Sequence, residues 1–187
     1  NLPAAIYTHL DLNDCGGKLT ATGHGRAIFA SPLATNTIKG NVVWNGDRSV
    51  GNNLIIEDTL TITGTVEMAA NTKITVLQGA KLILDGGTLT ASHCTDELWL
   101  GVELLGNPSQ HNFGDPMAAN YPHGYVNLIN GATIENAYTG IYAGSYTTIG
   151  ADAGGRVDAN NATIKNCKTG IHFANYDGKW NASNFKH

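Results

Sequence analysis

The stretch Gly131-Ala132-Thr133-Ile134-Glu135-Asn136-Ala137-Tyr138-Thr139-Gly140-Ile141-Tyr142 returns thirty positions later as Asn161-Ala162-Thr163-Ile164-Lys165-Asn166-Cys167-Lys168-Thr169-Gly170-Ile171-His172. Ala, Thr, Ile, Asn, Thr, Gly and Ile recur in register, whereas Glu135/Lys165, Tyr138/Lys168 and Tyr142/His172 differ. Such a split is expected when a strand lies on a copy of itself: inward residues are fixed by packing and outward ones vary. Parallel stacking also gives the backbone N–H and C=O groups partners on the neighbouring copies.

Looser copies precede this pair. Thr59-Leu60-Thr61-Ile62-Thr63-Gly64-Thr65-Val66 resembles Lys81-Leu82-Ile83-Leu84-Asp85-Gly86-Gly87-Thr88-Leu89, with Lys73-Ile74-Thr75-Val76 between them. Each piece alternates apolar and polar residues and is bounded by Gly, Asn or Asp. Helical periodicity is not sustained over two turns, which argues against long helices. A sandwich or an antiparallel barrel also has short, regularly spaced strands. In those folds each strand faces a different neighbour, so a self-match has no physical cause. The sequence therefore predicts an all-β chain: a single-stranded right-handed parallel β-helix, or solenoid, with an irregular N-terminal segment. Residues 1–40 are expected to be an N-terminal cap or the tail of a preceding domain. Residues 41–187 are expected to form the β-helix, which would continue beyond residue 187 or be capped by a partner, because an open end exposes unpaired strands.

Particular residues carry further expectations. Asn136 and Asn166 follow equivalent strands, so a ladder of Asn side chains bonded to one another and to turn backbone is expected. Gly140 and Gly170 are expected to permit the next bend through a positive φ. Residues 106–125 form a long insertion, a kind of loop that more often binds than merely connects. His111, Asp115, Tyr121, His123 and Tyr125 in that insertion are the candidate ligand-binding residues, able to hydrogen-bond and to stack. A smaller excursion spans Gly144 to Gly155, and Tyr138, Tyr142 and Tyr146 are further candidates for a ligand face.

Composition excludes several classes. The 187-residue chain is 42% hydrophobic and only 14% charged, which is globular usage. Its net charge of −4, with Arg only at positions 26, 48 and 156, argues against nucleic acid as a partner. No apolar run of about 18 residues is present, so no membrane-inserted helix is expected. The three cysteines, Cys15, Cys94 and Cys167, form no CxxC pair and support neither a zinc ribbon nor a redox motif.

Catalytic motifs are equally sparse. Gly23-His24-Gly25 matches a motif of polygalacturonase-like hydrolases, but it precedes the strand repeats and lacks accompanying acidic pairs, so it reads as a chance match in a Gly-rich chain. Pectate lyases use clustered acids for calcium, whereas Asp85, Asp96, Glu97, Glu103, Asp115, Glu135, Asp152 and Asp158 are dispersed here and read as solvated turn acids. The seven histidines show no HxH or HExxH spacing. Trp99 lies in a nearly continuous apolar strand and is expected in the core. No catalytic residue, cofactor or metal is assigned from the sequence.

The runs Gly79 to Thr90, Trp99 to Asn107 with Gln110, and Asn130 to Ala137 resemble the β-helix regions of large secreted surface proteins of Bacteroidetes, cargo of the type IX secretion system. The resemblance covers roughly residues 42 to 187. It implies a pectate-lyase-like superfold and an extracellular or cell-surface location, attached to the outer membrane, but it transfers no catalytic residue. The leading expectation is thus a non-catalytic extracellular module used for spacing, adhesion or glycan contact, with surface glycans or other cell-surface or secretion proteins as partners. The alternative is a polysaccharide lyase or glycoside hydrolase with its site in the long insertion. A third reading is a secretion substrate captured in a transport complex.

Overall fold

The computed structural model describes residues 36–93, 96–148 and 151–176. Sixteen short strands follow one another within them: β1 (Asn36–Ile38), β2 (Asn41–Trp44), β3 (Arg48–Val50), β4 (Leu54–Ile56), β5 (Thr59–Ile62), β6 (Thr65–Met68), β7 (Lys73–Val76), β8 (Lys81–Asp85), β9 (Thr88–Ala91), β10 (Trp99–Leu104), β11 (Tyr125–Ile129), β12 (Thr133–Glu135), β13 (Ala137–Ala143), β14 (Arg156–Ala159), β15 (Thr163–Lys165) and β16 (Thr169–Phe173). No helix occurs among the described residues. Each strand pairs in parallel with the strand three places on. The result is three sheets, β1-β4-β7-β10-β13-β16, β2-β5-β8-β11-β14 and β3-β6-β9-β12-β15. The chain therefore visits the three sheets in rotation, one tier per three strands.

Like residues stack on like from tier to tier within each sheet. Leu54, Ile74, Val102, Ile141 and Ile171 form one row of the first sheet. Val42, Leu60, Leu82, Val126 and Val157 form a row of the second, and Val66, Leu89, Ile134 and Ile164 one of the third. The middle members are fully buried. Each such aliphatic side chain stabilises the fold by roughly 1.5–3 kcal/mol relative to exposure. Trp99 joins this core, with its indole N–H donating to the Glu135 carbonyl at 2.9 Å. The repeat is a literal register: Thr133 lies opposite Thr163, Ile134 opposite Ile164, Thr139 opposite Thr169 and Tyr142 opposite His172.

Two local expectations need correcting. The positive φ at the corner belongs to Asn136 and Asn166, at 57° and 53°, not to Gly140 or Gly170. Asn tolerates this left-handed region because its short polar side chain bonds locally. Gly140 is needed for a different reason, since a Cβ there would lie 2.6 Å from the Gly170 carbonyl oxygen and 2.8 Å from Ile164 Cγ2. The Asn136 amide donates to Thr90 Oγ1 on the preceding tier at 3.0 Å, not to Asn166.

Among the described residues the first strand begins at Asn36, within the segment 1–40 that the sequence sets apart. The rest of that segment, with Cys15 and Gly23-His24-Gly25, lies outside the described residues, as do Cys94 and Trp180. Cys167 is a half-buried free thiol.

Candidate functional site

The longest connection among the described residues runs from 105 to 124, between β10 and β11. Its ends meet: Gly124 N–H donates to the Leu105 carbonyl at 2.7 Å, and Leu105 N–H donates to Val76 at 2.9 Å. This crossing leaves no room for side chains. A Cβ on Gly106 would sit 2.3 Å from Gly155 N, and one on Gly124 2.7 Å from the Leu105 oxygen. Gly106 N–H also donates to the Asp152 carbonyl at 2.6 Å, which joins the loop base to the 144–155 excursion.

Above the base, the loop backbone is held by side chains. Four of its carbonyls each accept a side-chain hydrogen bond. Gln110 accepts from the Tyr176 hydroxyl. His111 accepts from His123 Nε2 at 3.0 Å, Asn112 from the Tyr121 hydroxyl at 3.0 Å and Gly114 from Arg156 Nη1 at 3.0 Å. Net worths of about 1 kcal/mol per bond give these pins about 4 kcal/mol together. Ordering the loop costs about 1–2 kcal/mol per residue, so these pins offset only a small part of it and act mainly by selecting one closed arrangement.

His123 is the central pin and is fully buried. Its Nδ1 accepts the Asn107 backbone N–H at 3.0 Å. Nε2 must then carry the proton that is donated to His111, so the partners assign a neutral tautomer. Burial lowers its pKa below the usual 6.5, against the opposing pull of the His111 carbonyl. Tyr121 and Tyr176 flank its ring, with centroids 5.4 and 6.1 Å away.

Arg156 has its own brace. Asp158 receives its Nε at 3.1 Å and Nη2 at 2.9 Å, and also the Tyr125 hydroxyl at 3.0 Å. Burial alone would raise the Asp158 pKa, but these bonds hold it below the ordinary carboxylate value. Burial and the Asp158 bond push Tyr125 up to about 12.

The pinned loop encloses an open cleft of about 470 Å³, lined mainly by Gln110, His111, Phe113, Asp115, Asn120 and Tyr121. Asp115 Oδ1 accepts the Met117 N–H at 2.8 Å, an Asx turn that fixes the carboxylate. Its other oxygen, the Gln110 and Asn120 amides and the His111 ring nitrogens make no hydrogen bond to another described residue. Phe113 is 53% exposed beside the His111 ring, with centroids 5.8 Å apart. The cleft thus offers amides, a fixed carboxylate and an aromatic surface on a braced frame.

The five residues singled out from the sequence divide into two groups. His111 and Asp115 line the cleft with open polar groups, and Tyr121 contributes a wall. Tyr121, His123 and Tyr125 are buried and spend their polar atoms bracing the loop or its surroundings. Tyr125 is already the first residue of β11. Sequence reasoning missed Arg156, Asp158 and Tyr176. The thirty-residue repeat extended one strand backwards points to β14 but is one residue out, because β11 and β14 pair at an offset of thirty-one, with Tyr125 opposite Arg156.

A second cluster covers the outer face of the first sheet. Glu103, read from the sequence as a solvated turn acid, lies on β10 and is buried. Its carboxylate receives Lys73 Nζ at 2.6 Å, Thr75 Oγ1 at 2.9 Å and the Tyr146 N–H at 2.7 Å. Asp158 departs from that reading in the same way, since it sits on β14 inside the Arg156 brace. Tyr146 stacks on Tyr142 at 4.4 Å, and Tyr142 meets His172 at 5.0 Å. These ring faces are therefore occupied by one another. On the third sheet, Glu67 holds His93 Nδ1 at 2.9 Å. Among the described residues no group of three or more His, Cys, Asp or Glu side chains is placed to hold a metal ion.

No family model, curated protein or solved structure matches this chain. Its function has to be argued from the site itself.

Proposed function

We propose that the chain is a right-handed parallel β-helix serving as a carbohydrate-contact module of a secreted cell-surface protein, with the 105–124 cleft as its binding site. The rotation of strands through three parallel sheets supports the β-helix, and the usual handedness of parallel crossovers supports a right-handed path. The observation that carries the binding reading is the braced loop. Its backbone carbonyls are tied down by the Tyr121, His123 and Arg156 side chains, while Gln110, His111, Asp115 and Asn120 line the cleft with polar groups and Phe113 stands beside them. Pre-organised polar groups beside an exposed ring suit a sugar, whose hydroxyls both donate and accept and whose C–H face is apolar.

The surface location and type IX export rest on the resemblance of the strand repeats to Bacteroidetes surface proteins. Contact is favoured over cleavage because Glu103 and Asp158, two of the acids buried or braced in strands, have their oxygens engaged by cations, hydroxyls and a backbone N–H. The test is a glycan array probed with the purified chain. Binding that is lost in Phe113→Ala supports the proposal. Turnover of a polysaccharide, abolished by one side-chain change, would favour the lyase or hydrolase alternative instead.

A further inference from the structure

Resting on that reading of the cleft, we infer that the site is proton-gated: the 105–124 loop holds its ligand near neutral pH and releases it in mild acid, with His123 as the gate. The buried ring joins two residues that line the cleft. Its Nδ1 accepts the Asn107 backbone N–H and its Nε2 donates to the His111 carbonyl, at 3.0 Å each. Asn107 in turn starts the cleft wall, since its Oδ1 accepts the Ser109 N–H at 3.0 Å and its carbonyl accepts the Gln110 N–H at 3.1 Å. One imidazole therefore holds both the turn that leads to Gln110 and the backbone that carries His111.

Only the neutral ring can make both bonds. A proton added at Nδ1 turns that acceptor into a donor, which then faces the Asn107 N–H at hydrogen-bond distance. The Nε2 bond to His111 survives the change, but the Asn107 bond cannot. Relief requires the Asn107 turn to move away, and the cleft wall moves with it. Water then solvates the charged ring in the open loop.

Among the described residues, His111 and Tyr121 of the loop and Tyr176 after β16 face this ring. Arg156 and Asp158 on β14 bear on Tyr121 and are paired with each other. Asp152 of the 144–155 excursion accepts from Gln78 Nε2 at 3.1 Å. Burial, and secondarily a charge on His111, hold the His123 pKa below 6.5 against the pull of the His111 carbonyl. Above 6.5 the ring is neutral whether the loop is open or closed. Below that value the open loop takes up the proton first, so closure weakens until the folded pKa is passed. One proton changes the opening equilibrium by at most about tenfold per pH unit.

Two measurements on the purified full chain test the gate. In the isotopically labelled, ligand-free chain, the ring nitrogen shifts of His123 should report the Nε2–H tautomer at about pH 7.5. On acidification, protonation of that ring should move the Asn107, Gln110 and His111 amide signals in step with it. A glycan array probed at about pH 7.5 and about pH 5 should lose signal in acid by several-fold, up to about thirtyfold. His123→Phe removes the titrating ring, so its array signal, weaker at neutral pH, should no longer depend on pH. The ring titration needs no variant and stands even where His123→Phe does not fold. A ring that stays neutral down to about pH 5, or one that titrates while the Asn107 and Gln110 amides keep still, would overturn the gate and leave the carbohydrate reading intact. Equal array binding at both pH values, or an acid loss that persists in His123→Phe, would do the same. Absence of array binding at either pH would overturn the carbohydrate reading, and with it the release of a sugar, while the ring titration would still decide whether the loop is gated by His123.

Discussion

Replacing His123 by Phe keeps a ring in the buried pocket but removes both ring nitrogens. The Asn107 N–H and the His111 carbonyl, bonded to that ring at 3.0 Å each, are then left without partners. Each bond is worth about 1 kcal/mol net, and each group left orphaned in a buried setting costs about 1–3 kcal/mol. The closed loop should therefore lose about 2 kcal/mol or more, a shift of about thirtyfold in its opening equilibrium. The cost should be local, because both hydrogen bonds of this ring end within the loop, at Asn107 and His111. Hydrogen exchange read peptide by peptide is the suitable assay. Exchange across 105–124 should accelerate by about thirtyfold or more while the β5, β6, β8 and β9 amides keep their protection. Unchanged exchange in the loop, or an equal loss of protection in the strands, would refute the idea that His123 is a local pin.

Acid should act on the same pin in the unmodified protein. The folded pKa of His123 lies below its ordinary 6.5, so its neutral form is complete in both states above that value. As pH falls through about 6.5 the open loop takes up a proton first, and the closed loop loses stability progressively. Protection factors in 105–124, each referred to the intrinsic exchange rate at that pH, should thus fall on acidification, and this dependence should vanish in His123→Phe. Glu103→Ala removes a buried carboxylate from Lys73, Thr75 and the Tyr146 N–H; with Lys73 partly solvated, we expect a loss of about 2–4 kcal/mol in denaturant unfolding. Gly140→Ala should cost about 2 kcal/mol or more because backbone from the next tier must move, whereas Gly170→Ala, whose Cβ would meet Ile164 Cγ2 at an ordinary 3.9 Å, should cost clearly less by the same measurement.

The architecture was legible wherever residues stack on copies of themselves. Thr133/Thr163, Ile134/Ile164 and Thr139/Thr169 match in sequence because they are cross-strand neighbours. Long-range partners without that repetition were not legible. Glu103 looked like a turn acid because the Lys73 on β7 that neutralises it, and the Tyr146 that covers it, lie far along the chain. Asp158 and Arg156 were hidden for the same reason, and the thirty-residue repeat places β14 beside β11 one residue out of the actual register. The candidate site was half legible. The loop and its polar residues stood out by length and composition, but which of them faced the cleft depended on where each hydrogen bond ended. Tyr121, His123 and Tyr125 turned inward because their rings bury apolar surface while the hydroxyls and both imidazole nitrogens reach the loop backbone or Asp158. Gly140 misled because glycine serves both positive φ and close approach, and here it serves the second.

The most direct test of the central claim is an amide chemical-shift titration of the isotopically labelled chain with the oligosaccharide that binds best. A cleft at the braced loop predicts shifts concentrated at residues 107–122, saturating together, with the outer face of β13 and β16 unchanged. Shifts centred on Tyr142 and His172, or none in the loop at saturating sugar, would contradict it.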